Sequence, residues 1–166
     1  MEQLIQLIQD KLKGDLPELK YIDQDWGQMD FFPNPPVKFP CALIDIQSAE
    51  YSNKGVFTQQ GNLMVVIRVF DIKLSNSSNG APQNQKDNAK KIWTLLRDIN
   101  KALHCVNFLP KDYGLMIRQQ MRRTKRDDGC YLNELYYTVQ FHDNSTAPDY
   151  EETEAAPRIF VSVIAE

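Results

Sequence analysis

One segment near the middle of the chain limits the possible folds more than any other. Residues 61–72 alternate as a β-strand does, and both faces begin with apolar side chains: Leu63, Val65 and Ile67 on one, Met64 and Val66 on the other. A strand that is apolar on both sides must be covered on both sides. We therefore expect this strand at the centre of a sheet.

Two pairs of strands are predicted around this segment. Residues 41–51 alternate as well, and Asn53-Lys54-Gly55 is a turn signal, so 41–51 and 61–72 should form an antiparallel hairpin. Residues 115–124 and 131–142 flank the turn Asp127-Asp128-Gly129 and predict a second hairpin.

The alternation in the second hairpin predicts which side chains lie on each face of its two strands. In its first strand, the alternation puts Leu115, Ile117 and Met121 on one face, opposite Arg118, Gln120 and Arg122. In its second strand, one face is apolar: Leu135, Tyr137, Val139 and Phe141. The other face contains Glu134, Thr138 and Gln140 and is expected to be wet.

Two amphipathic helices are predicted. The first has Leu4, Ile5, Ile8 and Leu12 on one face and should stop at Gly14. The second runs from about Gln83 to His104, with an apolar face of Ala89, Ile92, Trp93, Leu96, Ile99 and Leu103. With a short strand at 19–24, the expected fold class is α+β: a mainly antiparallel sheet of two hairpins with two helices packed on one face.

The chain divides into a predicted domain and a tail. With 166 residues, 1–143 should form a single α+β domain. Residues 144–157 are polar and acidic and are expected to be a flexible linker, and 158–166 form a β-prone arm. A strand after a linker can pair with its own sheet or with a neighbour's. Its apolar residues are therefore possible subunit contacts: Ile159, Phe160, Val161 and Val163.

The proline-rich segment 26–40 has two interpretations. Prolines 33, 35, 36 and 40 exclude a helix or a central strand, so this is an extended loop. Its aromatic residues, Trp26, Phe31, Phe32 and Phe39, either anchor the loop to the core or form a binding surface.

The sequence offers no recognisable chemistry. Three cysteines at long spacings suit reduced thiols rather than a metal site or disulfides, and no phosphate-binding or metal motif occurs, so no cofactor is expected. His104 and His142 stand in no catalytic motif and are expected to be structural or surface residues. The chain is therefore predicted not to be an enzyme. It shows no signal peptide and no membrane-length apolar run, which predicts a cytoplasmic protein.

A basic run at 118–126 stands out against a net charge of −3. Its residues Arg118, Arg122, Arg123 and Arg126 form either a solvated face paired with groups such as Glu134, or a contact for nucleic acid or an acidic partner. The acidic tail is one such partner, in the same chain or in the next subunit.

Three stretches together resemble small tail-completion (tail terminator) or minor tail proteins of long-tailed phages and prophages. They are the first helix ending in Leu16-Pro17, the Phe39–Asp45 strand before Gln59-Gln60-Gly61, and the 90–103 helix followed by an arginine-rich strand and Tyr136–Asp143. The resemblance covers residues 1–143. It implies a structural protein that forms a ring, often a hexamer, at the end of the tail tube. It also implies other tail or connector proteins as partners, and a location in the virion tail after assembly in the cytoplasm.

Three functions therefore compete. The first is a homo-oligomeric assembly protein, and the second is a small binding module that uses the basic hairpin 118–126 or the loop 26–40. The third, an enzyme of unrecognised class, would need a cleft with titratable groups.

Overall fold

The computed structural model describes residues 2–31, 34–72 and 75–145. Within these ranges the elements follow the order α1 (Glu2–Asp15), β1 (Tyr21–Gln24), β2 (Cys41–Asn53), β3 (Gln59–Ile72), α2 (Gln83–Leu103), β4 (Ile117–Lys125) and β5 (Cys130–Asp143). A single 3-10 turn, Gln28–Asp30, lies between β1 and β2. Helix α1 continues through Gly14 to Asp15 instead of stopping at the glycine as predicted.

The strands form one sheet in the order β1-β2-β3-β5-β4. Antiparallel pairing joins β2 to β3, β3 to β5 and β5 to β4, whereas β1 lies parallel to β2. The β3–β5 ladder runs from Gln59 opposite Asp143 to Ile72 opposite Cys130. The predicted α+β fold with a mainly antiparallel sheet of two hairpins is confirmed, and the short strand is the parallel addition at one edge.

Both helices pack on the same face of the sheet, as predicted. Leu4, Ile8 and Leu12 of α1 are fully buried, and α2 contributes a second row of buried residues: Ile92, Leu95, Leu96, Ile99 and Leu103. They meet the sheet on the odd-numbered residues of β3 and β5, such as Ile67 and Leu135. Burying each large aliphatic side chain stabilises the fold by roughly 1.5–3 kcal/mol, so this layer forms the main core.

The outer face of the sheet carries a smaller core. Its buried residues are Met29, Cys41, Leu43, Phe70 and Leu132, and Val37 and Phe39 pack against them. Strand β3 is therefore covered on both sides, which confirms the expectation for residues 61–72.

Of the two interpretations of the loop aromatics, anchoring to the core does not hold for Trp26 and Phe31. Trp26 and Phe31 are 55% and 56% exposed, and their rings meet edge to face with centroids 5.5 Å apart. Phe39 does pack against the outer core, and so does Met29, which is 6% exposed. Phe32 lies outside the described residues.

A cluster of ion pairs connects the start of this loop to the sheet. Arg68 of β3 pairs with Asp25, the residue before the loop, with Asp45 of β2 at 3.1 Å and with Glu134 of β5 at 3.4 Å. Hydroxyl Oγ1 of Thr124 donates to the other oxygen of Glu134 at 3.0 Å. The second face of β5 was expected to be wet, but its first half is buried because the loop and this cluster cover Leu132 and Glu134.

The predicted linker from residue 146 onward and the predicted arm 158–166 lie outside the described residues. Within the described ranges, no helix has both the length and the apolar character needed to cross a membrane.

Candidate interaction surfaces

Strand β4 is an open edge of the sheet. Among the strands of the described residues it pairs only with β5, and eight of its nine residues are exposed. Ile117 and Met121, with 36% and 44% exposure, are among its apolar residues. An edge strand offers unpaired backbone N–H and C=O groups to any strand that approaches it. The other edge, β1, has only four residues and offers a much shorter template.

A bulge in β4 changes the predicted faces of the basic hairpin. The register shifts between Arg118, opposite Tyr137, and Gln120, opposite Tyr136. A bulge inserts one extra residue, so the alternation before it and after it differs by one. Ile117 and Met121 consequently lie on opposite faces, and the prediction that they share a face is wrong.

The four arginines of the run therefore do not form one surface. Arg118 and Arg123 lie opposite Tyr137 and Asn133, residues in phase with the helix-facing side chains of β5. Arg122 lies on the outer face opposite Glu134, whose carboxylate is 3.9 Å from its guanidinium.

Arg126 is engaged in holding the loop. Its guanidinium pairs with Asp128 at 2.6 Å, and its Nη2 donates to the carbonyl of Met29 at 3.2 Å. The hydrogen bond from Arg126 lowers the pKa of Asp128. Because these contacts already satisfy the side chain, Arg126 contributes to the fold of the hairpin and the loop.

Arg123 borders a cleft between α2 and the end of the sheet. Its guanidinium carbon lies 4.5 Å from the ring centroid of Tyr131, a cation–π distance. The cleft has a volume of about 440 Å³, and its lining residues include Lys86, Lys90, Trp93 and Asn133.

Two cleft residues differ from what the sequence predicts. Trp93 belongs to the predicted apolar face of α2, yet it is 52% exposed because it lies at the margin of the helix–sheet interface. Asn133 is 2% exposed, and its Oδ1 accepts no hydrogen bond from any part of the chain that the structure describes. The alternation of β5 predicts which face Asn133 lies on. It does not predict that the amide oxygen is buried without a hydrogen-bond donor.

The two histidines have different surroundings. Nδ1 of His104 accepts the backbone N–H of Arg118 at 3.0 Å, which ties the end of α2 to the start of β4. Nε2 of the same ring lies 3.4 Å from the sulfur of Cys105. His142 is exposed at the end of β5. Among residues 2–31, 34–72 and 75–145, no three His, Cys, Asp or Glu side chains are grouped to hold a metal ion.

The proposed subunit contacts Ile159, Phe160, Val161 and Val163 lie outside the described residues. Their role stays a prediction, as does polyanion binding by Arg118, Arg122, Arg123 and Arg126.

Comparison with known proteins supports a shared fold. No protein-family model and no curated protein matches the chain. Among solved structures, it is similar to a chain from the virion of native gene transfer agent (GTA) particle, with a TM-score of 0.54 and 9% sequence identity. The match covers 84% of this chain and 95% of that chain. At this identity the likeness defines the class of fold alone, a small α+β domain with a mixed five-stranded sheet.

Proposed function

We propose that this chain is a non-enzymatic structural protein of a phage-like particle, which assembles with copies of itself into a ring as tail terminators do. The observation that carries the proposal is the open β4 edge, a nine-residue strand that is exposed on both faces. The fold likeness to a virion chain supports the same proposal, since that match spans nearly all of both chains.

The arm supplies a strand of matching chemistry. Residues 158–164, Arg-Ile-Phe-Val-Ser-Val-Ile, are β-prone and follow an acidic stretch. Added to the β4 edge of a neighbour, this strand would satisfy backbone groups of β4 and bury Ile159, Phe160, Val161 and Val163 at least in part. A contact of this kind is head-to-tail, and it closes into a ring when the rotation between subunits permits.

The test is the mass and shape of the full chain in solution. We expect sedimentation over a range of concentrations to give one discrete oligomer, and negative-stain electron microscopy to show closed rings. Other tail or connector proteins would then bind the two faces of the ring. A chain that sediments as a monomer at every concentration would contradict the proposal.

A polyanion-binding module is the second candidate function. It is favoured by Arg118 and Arg123, which form none of the ion pairs present among the described residues. Binding to DNA that weakens steeply with salt, and that Arg118→Ala with Arg123→Ala abolishes, would support this function. Binding that those substitutions leave unchanged would remove the basic hairpin as the site.

A further inference from the structure

The cleft between α2 and the β4–β5 end of the sheet carries unbalanced positive charge. Lys86, Lys90 and Arg123 line it, and none of the other described lining residues is acidic. These three cations take part in none of the ion pairs found among the described residues. Lys86 donates from Nζ to the carbonyl of Asn79 at 2.5 Å, which holds its charge beside the cleft. Such a site attracts an anionic partner.

The amide of Asn133, a residue at the cleft, has an acceptor that lacks a donor. Its Oδ1 has no partner in the described structure, and leaving a buried polar group unsatisfied is unfavourable. An amide has a donor end and an acceptor end, so a peptide backbone can pair with it whichever way it is turned. A phosphate group offers acceptors only. A polypeptide can therefore supply the missing donor from its own backbone, whereas a phosphate group cannot.

The aromatic residues of the cleft favour a segment with an aromatic side chain. Trp93 is half exposed, and Tyr131 already carries Arg123 over its ring. The chain itself contains a segment that combines both properties: residues 149–154, Asp-Tyr-Glu-Glu-Thr-Glu, have four carboxylates and one tyrosine. We infer that the cleft binds residues 149–154 of a second copy of this chain.

The length of the chain between β5 and this segment argues for a second copy. Asn133 and Asp143 lie ten residues apart in β5, a strand length of roughly 33 Å. The chain leaves the sheet at Asp143, and the six steps to Asp149 reach at most about 22 Å when fully extended. Asp149 and Tyr150 therefore fall short of Asn133 in their own molecule, so the segment can lie in the cleft along its whole length only in a second copy.

This inference rests on the proposed function, because it names a contact between the assembling copies. In that arrangement the acidic segment 149–154 and the arm 158–164 engage neighbouring subunits through two different surfaces. The cleft adds specificity by charge, and the β4 edge adds backbone pairing.

The first experiment measures binding of a synthetic peptide, residues 147–156, to the full chain. The chain has two tryptophans, so a Trp26→Phe background leaves Trp93 as the only reporter of the cleft. We expect saturable quenching or shift of its fluorescence, at least fivefold weaker binding with Arg123→Ala, and no change with Arg122→Ala. Arg122 is the matched control because it is the adjacent cation on the opposite face.

A second peptide with Asn and Gln in place of the four acidic residues is the negative control. No response of Trp93 to the acidic peptide, or equal losses in the two arginine variants, would overturn the inference. A response to single-stranded DNA that depends on Arg123, without a response to the peptide, would overturn it in favour of nucleic acid.

The second experiment tests whether the contact is made between copies, by exchanging charges in the full chain. One variant carries Lys86→Glu, Lys90→Glu and Arg123→Glu, and the other carries Asp149→Lys, Glu151→Lys, Glu152→Lys and Glu154→Lys. We expect each alone to form a smaller species than the unaltered chain, and their mixture to recover the larger mass. Unchanged masses for both variants would overturn the contact while leaving assembly intact. If the unaltered chain is a monomer, the proposed function is overturned instead. The peptide-binding experiment would then still show whether the cleft binds the acidic segment.

Discussion

At the scale of single residues, the cysteines differ in their environment. Cys41 is fully buried, and burial raises the pKa of its thiol to about 12, whereas Cys105 is exposed. Thiolates are the reactive form, and at pH 8 a thiol with that pKa is ionised to only about one part in ten thousand. The fold therefore protects one thiol and leaves another open.

We expect this difference to appear in thiol labelling. In a Cys130→Ser variant at pH 8, one thiol should react rapidly with a disulfide reagent and the other only after denaturant is added. Because folding raises the pKa of Cys41, its contribution to stability is complete below the ordinary thiol pKa and is lost as the pH rises towards 12. Rapid labelling of both thiols in the folded chain would contradict the placement of Cys41.

Cys105 also has an unusual backbone. It follows the end of α2 with φ of 57°, in the left-handed region that glycine usually occupies after a helix. Its N–H donates to the carbonyl of Met116 at 2.9 Å, which holds it there. A side chain in this conformation costs roughly 1–2 kcal/mol that glycine avoids.

Cys105→Gly should therefore raise the free energy of unfolding by roughly 0.5–1 kcal/mol, after allowing for the greater chain entropy of glycine. Cys105→Ala is the control, since it removes the sulfur but keeps the strained conformation. Urea unfolding measures both variants. A gain in the alanine variant equal to that in the glycine variant would show that the thiol, not the backbone, is unfavourable.

At the scale of elements, Gly61 of β3 leaves room for an aromatic side chain of β5. It pairs with Phe141, and a β-carbon added at Gly61 would lie 2.1 Å from that ring. The ring also contacts Tyr51 edge to face at 5.5 Å and stacks on Tyr113 at 6.0 Å. The glycine thus creates the space in which an aromatic cluster packs at this end of the sheet.

We expect Gly61→Ala to lower the free energy of unfolding by about 1–3 kcal/mol, because the Phe141 ring must move. Gly14→Ala is the control: it lies in α1 with no atom within 4 Å of the added carbon, and should stabilise by about 0.5–1 kcal/mol. Adding Phe141→Leu should make the cost of Gly61→Ala smaller than in the parent chain. Additive effects in this double-mutant cycle would argue against the close contact.

Elements were predicted where one periodicity dominates. The apolar rows Leu4, Ile8, Leu12 and Leu63, Val65, Ile67 each fit one period, so α1 and β3 emerge from the sequence alone. The faces of β4 could not be predicted in this way. The bulge near Arg118 arises from the pairing of β4 with β5, and the alternation of side chains in the sequence does not indicate it. Nor does the sequence show the cleft, since Lys86, Trp93 and Asn133 come together only when α2 packs on the sheet.

At the scale of the whole molecule, the two edges of the sheet are unequal. One edge is strand β1, which has only four residues, from Tyr21 to Gln24. On the other side β4 leaves a nine-residue edge exposed. Edge strands of monomeric proteins are usually protected, and β4 has two such protections, its basic side chains and its bulge. A strand that joins this edge should therefore bring negative charge with it, as the arm does behind its acidic segment. The β-prone residues 158–164 are the strand in this sequence that we propose to fill that role.

The most direct test of this proposal is the solution mass, by light scattering, of the full chain and of a version that ends at Asp143. The shorter version keeps β5 complete, and circular dichroism would verify that it remains folded. Assembly through the arm predicts a discrete oligomer for the full chain and a monomer for the shorter one. Monomers in both cases would contradict assembly, and the same oligomer in both would contradict the role of the arm.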